Sequence, residues 1–269
     1  MNALCHKFRA KPGLEVVDKD AVAEPLSSGD KAVDKQKVEE LAAVISELQE
    51  ILYAERRHKV LILLQGMDTS GKDGAVRGVF GKVDPLGIRS VSFKAPTADE
   101  LAHDYLWRVH RHVPMLGEVV IFNRSHYEDV LVTRVHGLID DEECQRRYAQ
   151  IANFERMLTE TGTTILKFFL HISRDEQKTR LQERLADPAK HWKFDPQDLK
   201  ERAYWRDYQR LYAHAIHHTN ADYAPWYVVP ADSKTHRNLV IASIVHDVLR
   251  ELRPAYPPGK PDYAKLQID

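Results

Sequence analysis

Residues 66–74 read Gly-Met-Asp-Thr-Ser-Gly-Lys-Asp-Gly, a run that could hold an anion. Gly66, Gly71 and Lys72 fit the pattern G-x-x-x-x-G-K. In such a loop successive backbone N–H groups wrap a phosphate, and the helix that follows adds positive potential at its N-terminus. Gly66, Thr69, Ser70, Gly71, Asp73 and Gly74 are then the positions that meet phosphate, and Lys72 brings a mobile charge to a terminal one. The plain alternative is a glycine-rich turn that binds nothing; the apolar run before it and the helical pattern after it speak for phosphate. Two carboxylates depart from the ordinary loop. The position after Lys72, where a Ser or Thr hydroxyl would hold Mg²⁺, is Asp73. Asp68 lies inside the loop. A carboxylate beside phosphates is repelled unless a cation stands between them. A Mg²⁺-bridged site is therefore expected, with Asp68 as metal ligand or as base for the acceptor phosphate. Asp73 fits a metal role or a favourable pairing with the helix dipole.

A second group follows the apolar run 119–122, in Asn123-Arg124-Ser125. Asn123 stands where such folds place a magnesium-binding Asp. Arg124 falls where ligands of open α/β sheets bind, and its fork suits phosphate. Its bland role would be a surface pair with Glu128 or Asp129. Further cations are Arg180 and Arg184, four apart on one helix face, and Lys190 and Lys193 just beyond Pro188. A lid carrying them would close over a transferring phosphate and keep water out; a solvated face with its own acidic partners is the alternative. The fourteen histidines lack the spacing of a zinc site.

These groups need elements to position them. Residues 60–64, Val-Leu-Ile-Leu-Leu, predict a strand buried on both faces. Further strands are expected at 90–94, 118–122, 163–172 and 226–229. Helices are expected at 33–59, from the loop to about 83, at 99–112, 125–135, from Asp140 to before Gly162, from a capping box at 173–176 to near Pro188, and at 233–252. Val38, Leu41, Ile45, Leu48 and Leu52 form one stripe, either packed on their own domain or forming a seam between subunits. Alternating strands and helices imply an α/β fold with a parallel sheet covered on both sides. Residues 1–32 read as an irregular arm, 33–253 as the main domain with a lid at about 174–212, and 254–269 as a proline-rich surface tail.

The chain has 269 residues, 43% apolar and 29% charged, with net charge −1. That permits one sizeable core, and the balance of charge leaves no global field for a polyanion or nucleic acid. Two cysteines, Cys5 and Cys144, imply no disulfide framework. No apolar stretch is long enough to span a bilayer, so a cytoplasmic protein without membrane contact is expected.

Several segments, in order, resemble polyphosphate kinase 2: GMDTSGKDG at 66–74, FKAPT at 93–97, Leu106-Trp107-Arg108, Pro114 with Gly117, FNRSHYED at 122–129, Leu181 with Arg184, DPAKHWK at 187–193, and Thr219 with Pro225-Trp226. They run from about Leu52 to about Leu252. The resemblance implies a P-loop kinase fold similar to thymidylate kinase, with flanking helices and a helical lid. It implies Mg²⁺-dependent transfer of phosphate between polyphosphate and nucleoside mono- or diphosphates, AMP and ADP foremost and GMP or GDP among the acceptors. By position, Asp68, Lys72 and Arg124 would be catalytic, and Asp68 would also hold the metal. Arg180, Arg184, Lys190 and Lys193 would serve the lid, and Arg77 and Lys82 the polyphosphate path. Lys94, Pro96, Arg108, Asn123, Tyr127 and Glu128 would sit near the nucleotide. A homo-oligomer, dimer or tetramer, is expected. The family often has Asp at position 123 and Gly at position 73. Both variants resemble the subgroup that accepts nucleoside mono- and diphosphates, where Glu128 also matches an acidic residue. Two other readings compete: an ATP-dependent nucleotide kinase, against which Asp68 and the FNRS segment argue, and an inactive polyphosphate-binding protein.

Overall fold

Val60, Leu61, Ile62, Leu63 and Leu64 are each 0% exposed, as a strand covered on both faces requires. The computed structural model describes residues 3–259 and Tyr263. Its elements are α1 (Ala3–Phe8), α2 (Lys31–Glu55), β1 (Lys59–Gln65), α3 (Lys72–Phe80), β2 (Ile88–Ser92), α4 (Ala98–Leu101), α5 (Trp107–His110), β3 (Val119–Asn123), α6 (Val132–Val135), α7 (Asp141–Glu160), β4 (Thr163–His171), α8 (Arg174–Ala186), α9 (Pro196–Ala203), α10 (Trp205–Thr219), β5 (Trp226–Pro230) and α11 (Lys234–Leu252). The strands form one parallel sheet in the order β2-β3-β1-β4-β5.

The pleat of β1 divides the core. Leu61 and Leu63 pack with Val120, Phe122, Ile151 and Tyr208 on the side of α7 and α10. Val60, Ile62 and Leu64 pack with Ile45, Val79, Val240 and Ile244 on the side of α2, α3 and α11. Each such side chain contributes about 1.5–3 kcal/mol by leaving water. The apolar stripe of α2 goes the same way: Ile45 and Leu52 are buried in this core, and Leu41 and Leu48 pack against it.

Three helical expectations are corrected. Residues 99–112 are two short helices, because the Asp104 carboxylate accepts the N–H groups of both Leu106 and Trp107 at 3.0 Å and starts a fresh turn. Residues 125–135 are a 3₁₀ turn, His126–Asp129, and then α6; Ser125 Oγ accepts the Tyr127 N–H and caps the turn. The capping box at 173–176 is half formed. Ser173 accepts the Glu176 N–H at 3.2 Å, while the Glu176 carboxylate turns to Arg180.

The segment before α2 is more ordered than an irregular arm. Ala10 N–H donates to Trp226 O at 2.8 Å, and Arg9 bridges Tyr227 antiparallel, so the outer edge of β5 is covered. Asp18 accepts from Arg174 N–H at 3.2 Å and from Trp205 Nε1 at 3.3 Å. Past α11, Ala255 N–H and the Tyr256 hydroxyl donate to Glu55 and Glu50 of α2. The Cys5 side chain and the tail beyond Gly259, Tyr263 apart, lie outside the described residues. Among those residues no helix is long and apolar enough to cross a membrane.

Candidate active site

The loop leaves the carboxyl end of β1, the central strand. Gly66 has φ +150°, and a Cβ there would come within 2.5 Å of Leu170 O. Gly71, at φ +97°, admits no Cβ because the Arg237 guanidinium fills that space. Thr69 and Ser70 are buried, and their hydroxyl oxygens have no hydrogen-bond partner. Two unsatisfied buried hydroxyls are costly in an empty loop, and a ligand would answer them.

Arg124 Nη2 donates to Asp68 Oδ1 at 2.7 Å, joining the loop to the turn after β3. Burial works against the Arg124 charge, but Glu128 and Asp68 outweigh it and hold the guanidinium above its ordinary range. Lys72 folds back onto Gly66 O at 2.6 Å and Met67 O at 3.3 Å. Burial and then Arg124 push its ammonium below the usual lysine range. Burial raises Glu128, against the pull of Arg124 and Lys72. Asn123 Nδ2 donates to Asp73 Oδ1 at 2.6 Å.

Asp68, Arg124 and Glu128 line a cleft of about 780 Å³ between the loop, the β2–α4 connection and helices α9 and α10. Lys94, Pro96 and Arg108 line it too. Arg108 is buried, donates to Lys94 O at 2.9 Å and stands 3.6 Å from Asp129. Among the described residues no three His, Cys, Asp or Glu converge as a metal site. The loop carboxylates Asp68 and Asp73 instead suit a hard cation whose other ligands are phosphate oxygens and water.

Two of the expected site residues lie away from the cleft lining. Arg180, 5% exposed, spends its guanidinium on Thr69 O, Ala231 O, Asp232 O and Glu176, and so braces the loop from behind instead of facing the cleft. Tyr127 is 0% exposed and donates to Glu155 Oε1 at 2.8 Å, beside Lys167 Nζ at 3.1 Å. It belongs to a buried ionic network under the sheet, not to the cleft.

Five more cations lie outside the cleft lining. Arg184 holds Lys193 O and Asp198. Lys190 pairs with Asp187 at 2.8 Å, and Lys193 lies over the Trp192 ring. Arg77 is exposed on α3, and exposed Lys82 is 3.9 Å from Glu39.

The sequence reading missed three groups. Asp198 of α9 lines the cleft, and burial and Asp68 push its carboxyl up to about 6. Tyr208 and Tyr212, four apart on α10, also line it, and Tyr212 hydrogen-bonds the Gly66 backbone. Their i, i+4 spacing was the available signal, though it marks core packing just as well.

A parallel sheet that delivers a glycine loop from its central strand, and an arginine from the next strand, to one cleft is the arrangement of P-loop kinase-like proteins. Residues 28–255 match the family described as Polyphosphate kinase 2 (PPK2), and the chain belongs to it. A relative from Meiothermus ruber, named AMP/ADP-polyphosphate phosphotransferase, is 53% identical over 239 residues, 87% of this chain and 90% of that one. An ADP-polyphosphate phosphotransferase from Rhodopseudomonas palustris is 42% identical over 229 residues, 81% of this chain and 79% of that one. The crystal structure of polyphosphate kinase 2 from Arthrobacter aurescens superposes with a TM-score of 0.94 at 44% identity, covering 98% of this chain and 95% of that one.

Proposed function

We infer that the protein moves phosphate between inorganic polyphosphate and nucleoside mono- and diphosphates, AMP and ADP among them. The observation that carries this reading is the Asp68–Arg124 pair at 2.7 Å, set at the cleft end of a phosphate loop. The names of the Meiothermus and Rhodopseudomonas relatives support the two substrate classes.

In the reaction an oxygen of the acceptor's terminal phosphate attacks the end phosphorus of polyphosphate. The bond from that phosphorus to the next bridging oxygen breaks, and the chain leaves one phosphate shorter. Loop N–H groups and Lys72 hold the donor end once the ammonium exchanges Gly66 O for phosphate. Arg124, released from Asp68 by substrate, neutralises charge on the transferring group. Asp68 then faces the acceptor and would be the loop carboxylate that holds a divalent cation. Mg²⁺ bound there would offset the charge of the facing phosphates. Arg108 and Lys94 border the nucleotide side, and Glu128 sets the acceptor's position against Arg124. Positioning and fixed charge supply most of the acceleration. The cytoplasm, with its nucleotide pool and reducing conditions, is the compartment this chemistry fits, and the active form is a homo-oligomer.

The deciding experiment supplies Mg²⁺ and long-chain polyphosphate with AMP or ADP in separate reactions. Phosphorylated product from both acceptors is expected. No product with polyphosphate, and turnover with ATP as donor, would mean an ordinary nucleotide kinase; polyphosphate binding without turnover with either donor would mean an inactive binding protein.

A further inference from the structure

Helix α11 carries a cation on its buried face. Arg237 is 3% exposed, next to Leu239, Val240 and Ile241 in the core. Its guanidinium lies against the back of the phosphate loop. Nη1 donates to Ser70 O at 3.3 Å, and Nε and Nη2 donate to Asn238 Oδ1 at 3.2 and 2.9 Å. The loop makes room for it: a Cβ on Gly71 would collide with Nη1, and one on Gly74 would reach Nη2 at 2.9 Å. Among the described residues Arg237 forms no ion pair. The charge that acts on it is Arg180, of the same sign, and that charge together with burial works against the cation. A guanidinium nevertheless keeps its proton. Arg180, by contrast, has Glu176 at 2.7 Å.

The two arginines grip consecutive peptides, Thr69 O at 2.9 Å and Ser70 O at 3.3 Å. A trans peptide carries its C=O and N–H in opposite directions. Holding the Ser70 carbonyl from behind therefore turns the Gly71 N–H toward the other side of the loop, while the Ser70 N–H of the neighbouring peptide donates to Met67 O at 3.1 Å. An unpaired buried charge is unfavourable until an opposite charge reaches it. An anion in the loop would do so across a single thickness of backbone.

We propose that Arg237 is a positioning residue for phosphate, a buried cation behind the loop whose counter-ion is the bound substrate. The idea rests on reading residues 66–74 as a phosphate loop. It makes the empty loop less stable than it would be without this charge, and couples loop stability to anion binding.

The test measures thermal unfolding and calorimetric affinity for tripolyphosphate in the full chain, wild type against Arg237→Met and Arg237→Lys. Without anion, Arg237→Met should unfold at or above the wild-type temperature. Its tripolyphosphate affinity should fall about tenfold, within the usual range of coupling between sites. Arg237→Lys, which keeps the charge, should bind within about threefold of wild type. A purely structural residue gives the opposite pattern: Arg237→Met destabilised without anion and an unchanged affinity, which would overturn the proposal. If Arg237→Met does not fold, Arg237→Lys decides, and a folded Lys variant binding more than about tenfold weaker would overturn the role of charge. Absence of tripolyphosphate binding in the wild type would instead reject the loop reading itself.

Discussion

Asn123 donates its side-chain amide to Asp73 at 2.6 Å, so the two positions that set this chain apart from the common family pattern touch each other. An Asp at 123 would face Asp73 with like charge, whereas Gly at 73 would leave room for it. Asn123→Asp is expected to lower kcat/KM for ADP about tenfold, and Asp73→Gly added to it to restore most of the loss, a coupling of about 1–2 kcal/mol. A double-mutant cycle in kcat/KM measures this, and simple additivity would show that the two sites act independently.

Removing the carboxylate of Asp68 leaves the Arg124 guanidinium without its hydrogen-bond partner and removes the proposed metal ligand. Asp68→Asn should reduce kcat by about 10²–10⁴. Lys72→Ala should reduce it by about 10²–10³. Both proteins should melt within a few degrees of wild type. Near-normal turnover in either would remove that residue from the reaction.

Asp198 has a folded pKa of about 6, above its ordinary 3.8, because of burial and then Asp68. The folded state thus holds this proton more tightly than the unfolded chain. Its contribution to stability is fully present below pH 3.8 and is lost as pH rises through about 6. Asp198→Asn should flatten that part of the stability curve and leave the unliganded protein relatively more stable at pH 7 than at pH 4.5. Parallel curves for variant and wild type would contradict the assignment.

Glu155 and Lys167, both 0% exposed, are joined under the sheet together with the Tyr127 hydroxyl. Either Lys167→Met or Glu155→Gln should cost about 3–5 kcal/mol, because the remaining group loses its counterpart in the core. The double variant Lys167→Met/Glu155→Leu should cost less than the sum of the single changes. Urea unfolding measures all three. Tyr127→Phe should shift stability while leaving KM for the nucleotide unchanged.

What was legible in the sequence was local. The run Val60–Leu64 read as a buried strand, and the spacing of Gly66, Gly71 and Lys72 announced an anion loop at its end. What was missed depended on partners far along the chain. Arg180 and Arg184 share a helix face, yet Arg180 turns inward to Thr69 and Ala231, 111 and 51 residues away. Tyr127 answers to Glu155 and Lys167, neither of which its neighbours announce. The breaks at Asp104 and Ser125 arose because short polar side chains captured backbone N–H groups that a helix would have used. Arg237 follows Lys234 and His236 at the head of an apolar helical run, and only the fold shows that it points at the loop.

The carboxylate of Asp18 receives both the first N–H of α8 and the indole of Trp205, at the start of α10. One side chain from the N-terminal segment therefore moors both roots of the piece that contributes Asp198 and Arg184. A strap fastened at both ends to a single peg must break both hydrogen bonds, at 3.2 and 3.3 Å, to swing as a rigid flap. With both ends held, bending within its span falls to the turns capped by Asp187 and Asp195. Shortening the N-terminal segment past Asp18 would thus remove a tether from both ends of the strap at once, far from the reacting groups.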